Sequence, residues 1–279
     1  MKSRYHTVLT IAGSDSGGGA GIQADIKTIS ACGCYASSAI TAITAQNTTG
    51  VLDIFGIPPQ IVGSQIDAVL SDIGADAVKI GMLHDSELIL IIREKLLKWD
   101  IRNIILDPVM VSTSGHRLIA ENAISVLCKE LLPITRIITP NLPEAEILLK
   151  RKIYSQEELP ECAEELSKRY STYREADGST RKVSVFLKAG HFSDEKVVDV
   201  FYNAVSGNTT FLTGTRRHTR NTHGTGCTLS SALASFIACG NTPEDAARKA
   251  KEYLDGAIES GADYEIGHGF GPVNHFWKR

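Results

Sequence analysis

Apolar positions recur along this chain with two alternating periods, and the alternation itself predicts a fold class. Val8 to Ala12 is a short apolar run closed by Gly13, the pattern of a strand buried on both faces. From Ala20 to Ala31 the spacing changes, with Ile22, Ile26 and Ile29 recurring on one helical face. Ser37 to Ala45 is β-rich, and Gln60 to Ile73 is helical through Ile61, Ile66, Val69 and Leu70. The strand Ala77–Ile80 ends at Gly81, a helix runs from Ser86 to Trp99, and a strand from Asn103 to Leu106. The rhythm then repeats with a helix over Ala120–Leu132 and a strand over Arg136–Thr139, which Pro140 stops. Helices follow over Leu142–Leu149 and Ser155–Tyr170, then a strand over Val183–Lys188. Val197–Tyr202 and Thr209–Leu212 read as a hairpin, and helices over Thr225–Cys239 and Thr242–Ser260 close the pattern. Strands that alternate with helices in this way predict an α/β fold, a mostly parallel sheet covered on both faces. Ser171 to Lys182, rich in Arg, Asp, Gly and Ser, reads as an exposed loop and not a linker, because the rhythm resumes directly after it.

Composition narrows the picture. A chain of 279 residues fits one large domain over 1–279 and buries most of its apolar surface in one core. A net charge of −3 gives no basic footprint, so nucleic acid is not an expected partner. No apolar stretch reaches the roughly 18 residues of a membrane span. The run after Met1–His6 is too short for a signal peptide, so the expected location is the cytoplasm. None of the six cysteines forms a C-x-x-C pair, which removes the zinc and thioredoxin spacings and predicts free thiols.

The candidate chemistry follows the predicted strands. Ligands of open parallel sheets sit outside the carboxyl ends of the strands. Polar groups gather at those ends: Gly13-Ser14-Asp15, Gln46-Asn47-Thr48, Lys79 to Met82, Asp107 to Met110, Thr139-Pro140-Asn141 and Lys188 to His191. The sharpest segment is Asn221-Thr222-His223-Gly224-Thr225-Gly226-Cys227-Thr228, where glycines hand over to a small-residue helix. A helix amino terminus offers unpaired N–H groups and a positive dipole end, which suits phosphate. Cys227 falls in its first turn, where the dipole is expected to lower the thiol pKa and favour a thiolate able to take a proton. A glycine cap over a buried cysteine is the plain alternative. The early segment Gly13 to Gly21 lacks both the Walker ending and a usable G-x-G-x-x-G, so it suggests a backbone approach to a small substrate, or simply a flexible turn. The histidines lack metal-ligand spacing.

Together these segments resemble the ribokinase superfamily, and within it the hydroxymethylpyrimidine (phosphate) kinase branch. The resemblance runs from Thr10 to Phe276 and is carried by Thr10–Asp15, Gly18–Asp25, Thr44–Thr48, Lys79–Leu83, Asp107–Met110, Thr139–Glu146, Asn221–Thr228 and Gly269–Val273. It implies a ribokinase-like three-layer α/β/α sandwich, a homodimer, and Mg2+ with ATP as phosphoryl donor. Cys227 would be the base on the substrate hydroxyl, and the amides of Gly224, Thr225 and Gly226 would hold the migrating phosphoryl group. Gln46 would hydrogen-bond the aminopyrimidine, with Ala20, Thr44, Met82 and Val109 as walls. Asp107 and Glu144 would organise Mg2+ through water, and Asn141 and Lys188 would face the ATP phosphates. Thr44 and the pair Ser16-Gly17 depart from the family pattern, which has an apolar residue and Pro-Ser there.

The implied activity is phosphorylation of 4-amino-5-hydroxymethyl-2-methylpyrimidine and then of its monophosphate, for thiamine biosynthesis. Pyridoxal also carries a hydroxymethyl arm on a ring, so a pyridoxal kinase of the cysteine-bearing type is the nearest rival. A catalytically silent pyrimidine-binding protein is the rival from another class, and a Rossmann oxidoreductase lacks its fingerprint.

Overall fold

The computed structural model describes residues 4–110 and 119–278. A nine-stranded sheet forms the middle layer in the order β3-β2-β1-β4-β5-β6-β7-β8-β9. Its strands are β1 (Thr7–Asp15), β2 (Tyr35–Asn47), β3 (Gly50–Gly56), β4 (Ala77–Ile80), β5 (Ile104–Leu106), β6 (Ile137–Ile138), β7 (Ser184–Leu187), β8 (Lys196–Tyr202) and β9 (Thr209–Thr215). The core from β2 to β7 is parallel, and β3, β8 and β9 pair antiparallel at the two edges. The central strands are buried throughout, as their continuous apolar runs predict.

Among the described residues, eight α-helices cover the two faces: α1 (Gly21–Ala31), α2 (Pro59–Asp72), α3 (Ser86–Lys98), α4 (Glu121–Val126), α5 (Leu142–Leu149), α6 (Leu159–Tyr170), α7 (Thr225–Ala238) and α8 (Pro243–Gly261). One core lies under α2 to α6 and the other under α1, α7 and α8. α7 sits between the sheet and its two neighbours because its buried face is built from Ser230, Ser231, Ala232, Ala234 and Ser235, small enough for close approach. α4 continues through a π-helical turn, Leu127–Leu131, and a short 3-10 turn, so the helix predicted over 120–132 is present but not uniform.

The chain runs from β1 outward to β2 and β3, then returns to place β4 on the other side of β1. That reversal is a topological switch point, where the carboxyl ends of neighbouring strands diverge and open a crevice. β3 was not predicted. It is an edge strand with Leu52, Asp53, Ile54 and Phe55 all exposed, so it lacks the alternation that betrays a half-buried strand. Ser171 to Lys182 is a loop as expected, folded on a Glu175 that pairs with Arg181 and Arg102 at 2.6 Å each. Arg181 also donates to the Ile134 carbonyl at 2.7 Å. These contacts fix the loop near the amino ends of β5 to β7, at the opposite end of the sheet from the crevice.

Candidate active site

A single cavity of about 800 Å3 occupies the crevice. All thirteen residues predicted for the site lie on its lining: Ala20, Thr44, Gln46, Met82, Asp107, Val109, Asn141, Glu144, Lys188 and Gly224 to Cys227. The β1–α1 turn and the loop entering α7 form the narrow middle. Gly224 caps α7 with φ of +82°, and a Cβ there would fall 1.8 Å from the Gly19 carbonyl oxygen. The two backbones touch, which only glycine permits. Asp15 fixes the turn by accepting from the amides of Gly17 (2.8 Å), Gly19 (3.1 Å) and Ala20 (2.9 Å).

His223 Nε2 reaches the same Asp15 carboxylate at 2.8 Å. Burial alone would raise the Asp15 pKa, but the His223 hydrogen bond and the Ala20 and Gly17 amides outweigh it and hold the group below the usual carboxylate value. The carboxyl-terminal segment closes this side. Phe270 N–H donates to the Thr48 carbonyl at 2.8 Å, and His223 N–H donates to the Gly271 carbonyl at 3.0 Å. Sequence reasoning did not find the Asp15–His223 pair, because its members stand 208 residues apart and neither has a characteristic spacing.

At the inner end, Ala20, Met82 and Val109 form walls around Gln46. Thr44 is buried there, and its hydroxyl is engaged, 2.8 Å from the Ser14 carbonyl and 3.0 Å from the Gln46 side-chain amide. Thr44 Oγ1 faces the Gln46 side-chain oxygen, and Gln46 Nε2 stands 3.4 Å from His223 Nε2. Ser16 Oγ donates to the Gln46 carbonyl (2.7 Å) and accepts from the Gln46 N–H (2.8 Å). The two departures from the family pattern thus grip the same glutamine, one by its side chain and one by its backbone.

Cys227 stands at the middle of the cavity, in the first turn of α7 and partly accessible. The expectation of a lowered thiol pKa is corrected. Burial pushes it up to about 11, against the opposing pull of Lys79 and of the Gly21 amide at the start of α1. The helix terminus is there, but desolvation outweighs it, and the thiol carries its proton at neutral pH.

Beyond Cys227, Asp107 accepts from Thr139 Oγ1 and from Lys188 Nζ, each at 2.9 Å and each through Oδ1. Its Oδ2 lies 3.1 Å from where a Gly226 Cβ would be, so it faces the α7 terminus. Burial works against the Lys188 charge, yet Asp107 and Glu144 raise its pKa above the usual value. Asn141 caps α5, its side-chain oxygen accepting from Glu144 N–H at 2.9 Å, while Glu144 Oε2 accepts from Asn141 N–H at 2.8 Å. Glu144 thus closes the capping box of α5 and also lines the cavity. Burial and the neighbouring Asp107 push its carboxyl up to about 7, Lys188 and two backbone amides pulling the other way. Further out the cavity becomes an apolar shelf of Val197, Leu229, Leu254 and Ile258.

No cluster of three or more His, Cys, Asp or Glu side chains suited to a metal occurs among the described residues. Asp107 Oδ2 and Glu144 still fit a Mg2+ ion that keeps most of its water and takes its other ligands from phosphate oxygens, which is that ion's habit.

Comparison with known proteins agrees with this geometry. The family model for phosphomethylpyrimidine kinase matches residues 15–274. The hydroxymethylpyrimidine/phosphomethylpyrimidine kinase of Rhizobium meliloti is 45% identical over 275 residues, covering 97% of this chain and 98% of that protein. The thiamine biosynthesis bifunctional protein ThiED of Geobacter sulfurreducens is 44% identical over 269 residues; the match takes in 96% of this chain but only 52% of that longer protein. Among solved structures, the pyridoxal kinase of Staphylococcus aureus in complex with pyridoxal superposes with a TM-score of 0.85 at 30% identity, covering 99% of this chain and 95% of that one. The fold is thus the ribokinase-like α/β/α sandwich, and the chain belongs to the phosphomethylpyrimidine kinase family.

Proposed function

We propose that the chain transfers the γ-phosphoryl group of Mg-ATP to the hydroxymethyl oxygen of 4-amino-5-hydroxymethyl-2-methylpyrimidine, and in a second reaction to the phosphate of the resulting monophosphate. The observation that carries this reading is the position of Cys227 and the α7 terminus midway along one cavity, between the Gln46 pocket and the apolar shelf.

The aminopyrimidine ring lies between Met82, Val109 and Ala20, and the oriented Gln46 amide offers it one donor and one acceptor. The nucleotide base lies on the shelf of Val197, Leu229, Leu254 and Ile258. That arrangement brings the hydroxymethyl oxygen and the γ-phosphorus together at the first turn of α7. The oxygen lone pair forms the new P–O bond, the bond to the ADP oxygen breaks, and the hydroxyl proton passes to the Cys227 sulfur, which first gives the proton it carries at neutral pH to water and so acts through a minor thiolate population.

Transfer of this kind is mostly positioning and stabilisation of negative charge on the moving group. The amides of Gly224, Thr225 and Gly226 and the ammonium of Lys188 supply that stabilisation from the protein. Asp107 and Glu144 would hold Mg2+ bound with the nucleotide, which would supply positive charge to the phosphate oxygens. Asn141 holds Glu144 in place and borders the nucleotide phosphates. A homodimer is supported by the paired and exposed Ile43 and Phe55 on the β2–β3 edge, an apolar face suited to a second copy. No helix among the described residues is long and apolar enough to cross a membrane, and a cytoplasmic location fits that.

ADP release from Mg-ATP, measured separately with hydroxymethylpyrimidine, its monophosphate and pyridoxal, tests the assignment. The pyrimidine and its monophosphate should both drive turnover. Turnover with pyridoxal alone would replace the substrate but keep the reaction, and binding of the pyrimidine without ADP would make the chain a sensor.

A further inference from the structure

Beneath the first turn of α7 lies a pair of charges that the transfer described above does not use. Lys79 belongs to β4, and among the described residues its side chain is the largest that is wholly buried. Its ammonium lies 2.9 and 2.8 Å from the two oxygens of Asp25 on α1. Asp25 also accepts from Thr10 Oγ1 of β1 and from Ser231 Oγ of α7, each at 2.7 Å. Four elements therefore meet on one ion pair, and every oxygen of the carboxylate is engaged.

A buried ion pair is generally no better for stability than apolar side chains of similar volume, so stability alone gives little reason for this one. Two observations turn it toward the cavity. Lys79 and Cys227 both lie on the cavity lining, and Ser231, which holds Asp25, stands one helical turn after Cys227 on the same face of α7. Residue 81 is glycine, and a Cβ there would come within 2.7 Å of the Lys79 nitrogen, so the strand end leaves the ammonium room on that side. The charged groups that act on the Cys227 sulfur are Lys79 from β4, Asp25 from α1, Asp107 beyond β5 and Lys188 beyond β7. Lys79 is the strongest of those that favour negative charge there.

We propose that Lys79 is a positioning residue for phosphoryl transfer: clamped by Asp25, it holds a fixed ammonium under Cys227 and favours the thiolate from which the sulfur accepts the hydroxyl proton. Thr10 and Ser231 keep Asp25, and through it the ammonium, from swinging into the phosphate site, where Lys188 does the contacting. The inference rests on Cys227 acting as the base.

Alkylation of Cys227 by iodoacetamide in the ligand-free chain, followed peptide by peptide with mass spectrometry at pH 7.5, reads the sulfur without turnover. Lys79→Met should slow alkylation of Cys227 by about tenfold, the effect of moving a thiol pKa by roughly one unit. Asp25→Asn removes the clamp but keeps the cation, and should not slow it. Should Lys79→Met fold poorly, Lys79→Met combined with Asp25→Leu replaces the pair by apolar groups and should slow alkylation in the same direction but less, because Asp25 opposes Lys79 at the sulfur. In either variant kcat for the pyrimidine should fall while the KM for ATP holds. An unchanged alkylation rate without Lys79, or equal slowing by Asp25→Asn, overturns the proposal. Because alkylation does not depend on turnover, a Cys227→Ala variant that keeps its activity would remove the base and leave the electrostatic result standing.

Discussion

Glu144 carries two demands on one carboxyl. It closes the capping box of α5, and it stands in the cavity with its pKa pushed up to about 7 by burial and Asp107. A carboxyl whose folded pKa lies above its unfolded value holds its proton longer in the folded chain. Its contribution to stability is therefore complete below the unfolded pKa and is lost as pH rises through about 7. Glutamine keeps the capping geometry and removes the charge. Glu144→Gln should raise the melting temperature of the ligand-free chain at pH 8 by about 2–4 °C for each kcal/mol relieved, with little change at pH 5. The same variant should lose most of its turnover. Thermal melts at the two pH values check this, and a gap between variant and parent that ignores pH would contradict it. At this scale the sequence pointed to residues that line one cavity but not to their ionisation. Cys227 was legible from its glycines and helix start, whereas the burial that reverses its expected pKa shift depends on what packs around it. Lys79 counted only among the polar strand ends, since its partner Asp25 is on another element and only folding joins them.

At the scale of elements, α7 and the β1–α1 turn are one device, since each backbone leaves room for the other. Gly224→Ala puts a Cβ 1.8 Å from the Gly19 oxygen and forces a non-glycine residue to φ of +82°. Strain of about 1–3 kcal/mol at such a position, with the clash added, should lower the melting temperature by several degrees. It should also displace the amides that hold phosphate, so turnover should fall more than stability does. Calorimetry with a parallel ADP-release assay checks it; an alanine variant with the parent's melting temperature and rate would show that the contact is not needed. Most elements were legible because parallel strands buried on both faces and amphipathic helices have distinct periods. β3 was not, because an edge strand exposed on both faces has no side to mark.

Across the whole molecule, the order of strands decides where chemistry happens. The reversal at β1 opens the crevice, and residues from seven segments of the chain meet there without any local motif uniting them. The Ser171–Lys182 loop, distinctive in sequence, lies at the far end of the sheet and has no part in the site. The carboxyl-terminal segment, modest in sequence, ties Thr48 to the loop that enters α7.

The central claim is that phosphoryl transfer takes place at the amino terminus of α7 with Cys227 as its base. A single-turnover measurement of monophosphate formation from hydroxymethylpyrimidine, with Mg-ATP and the chain carrying Cys227→Ala, tests it most directly, because only that reaction removes a hydroxyl proton. The account predicts a rate about 10²-fold or more below the parent's, with ATP affinity kept. Monophosphate formed by the variant at the parent's rate would contradict it.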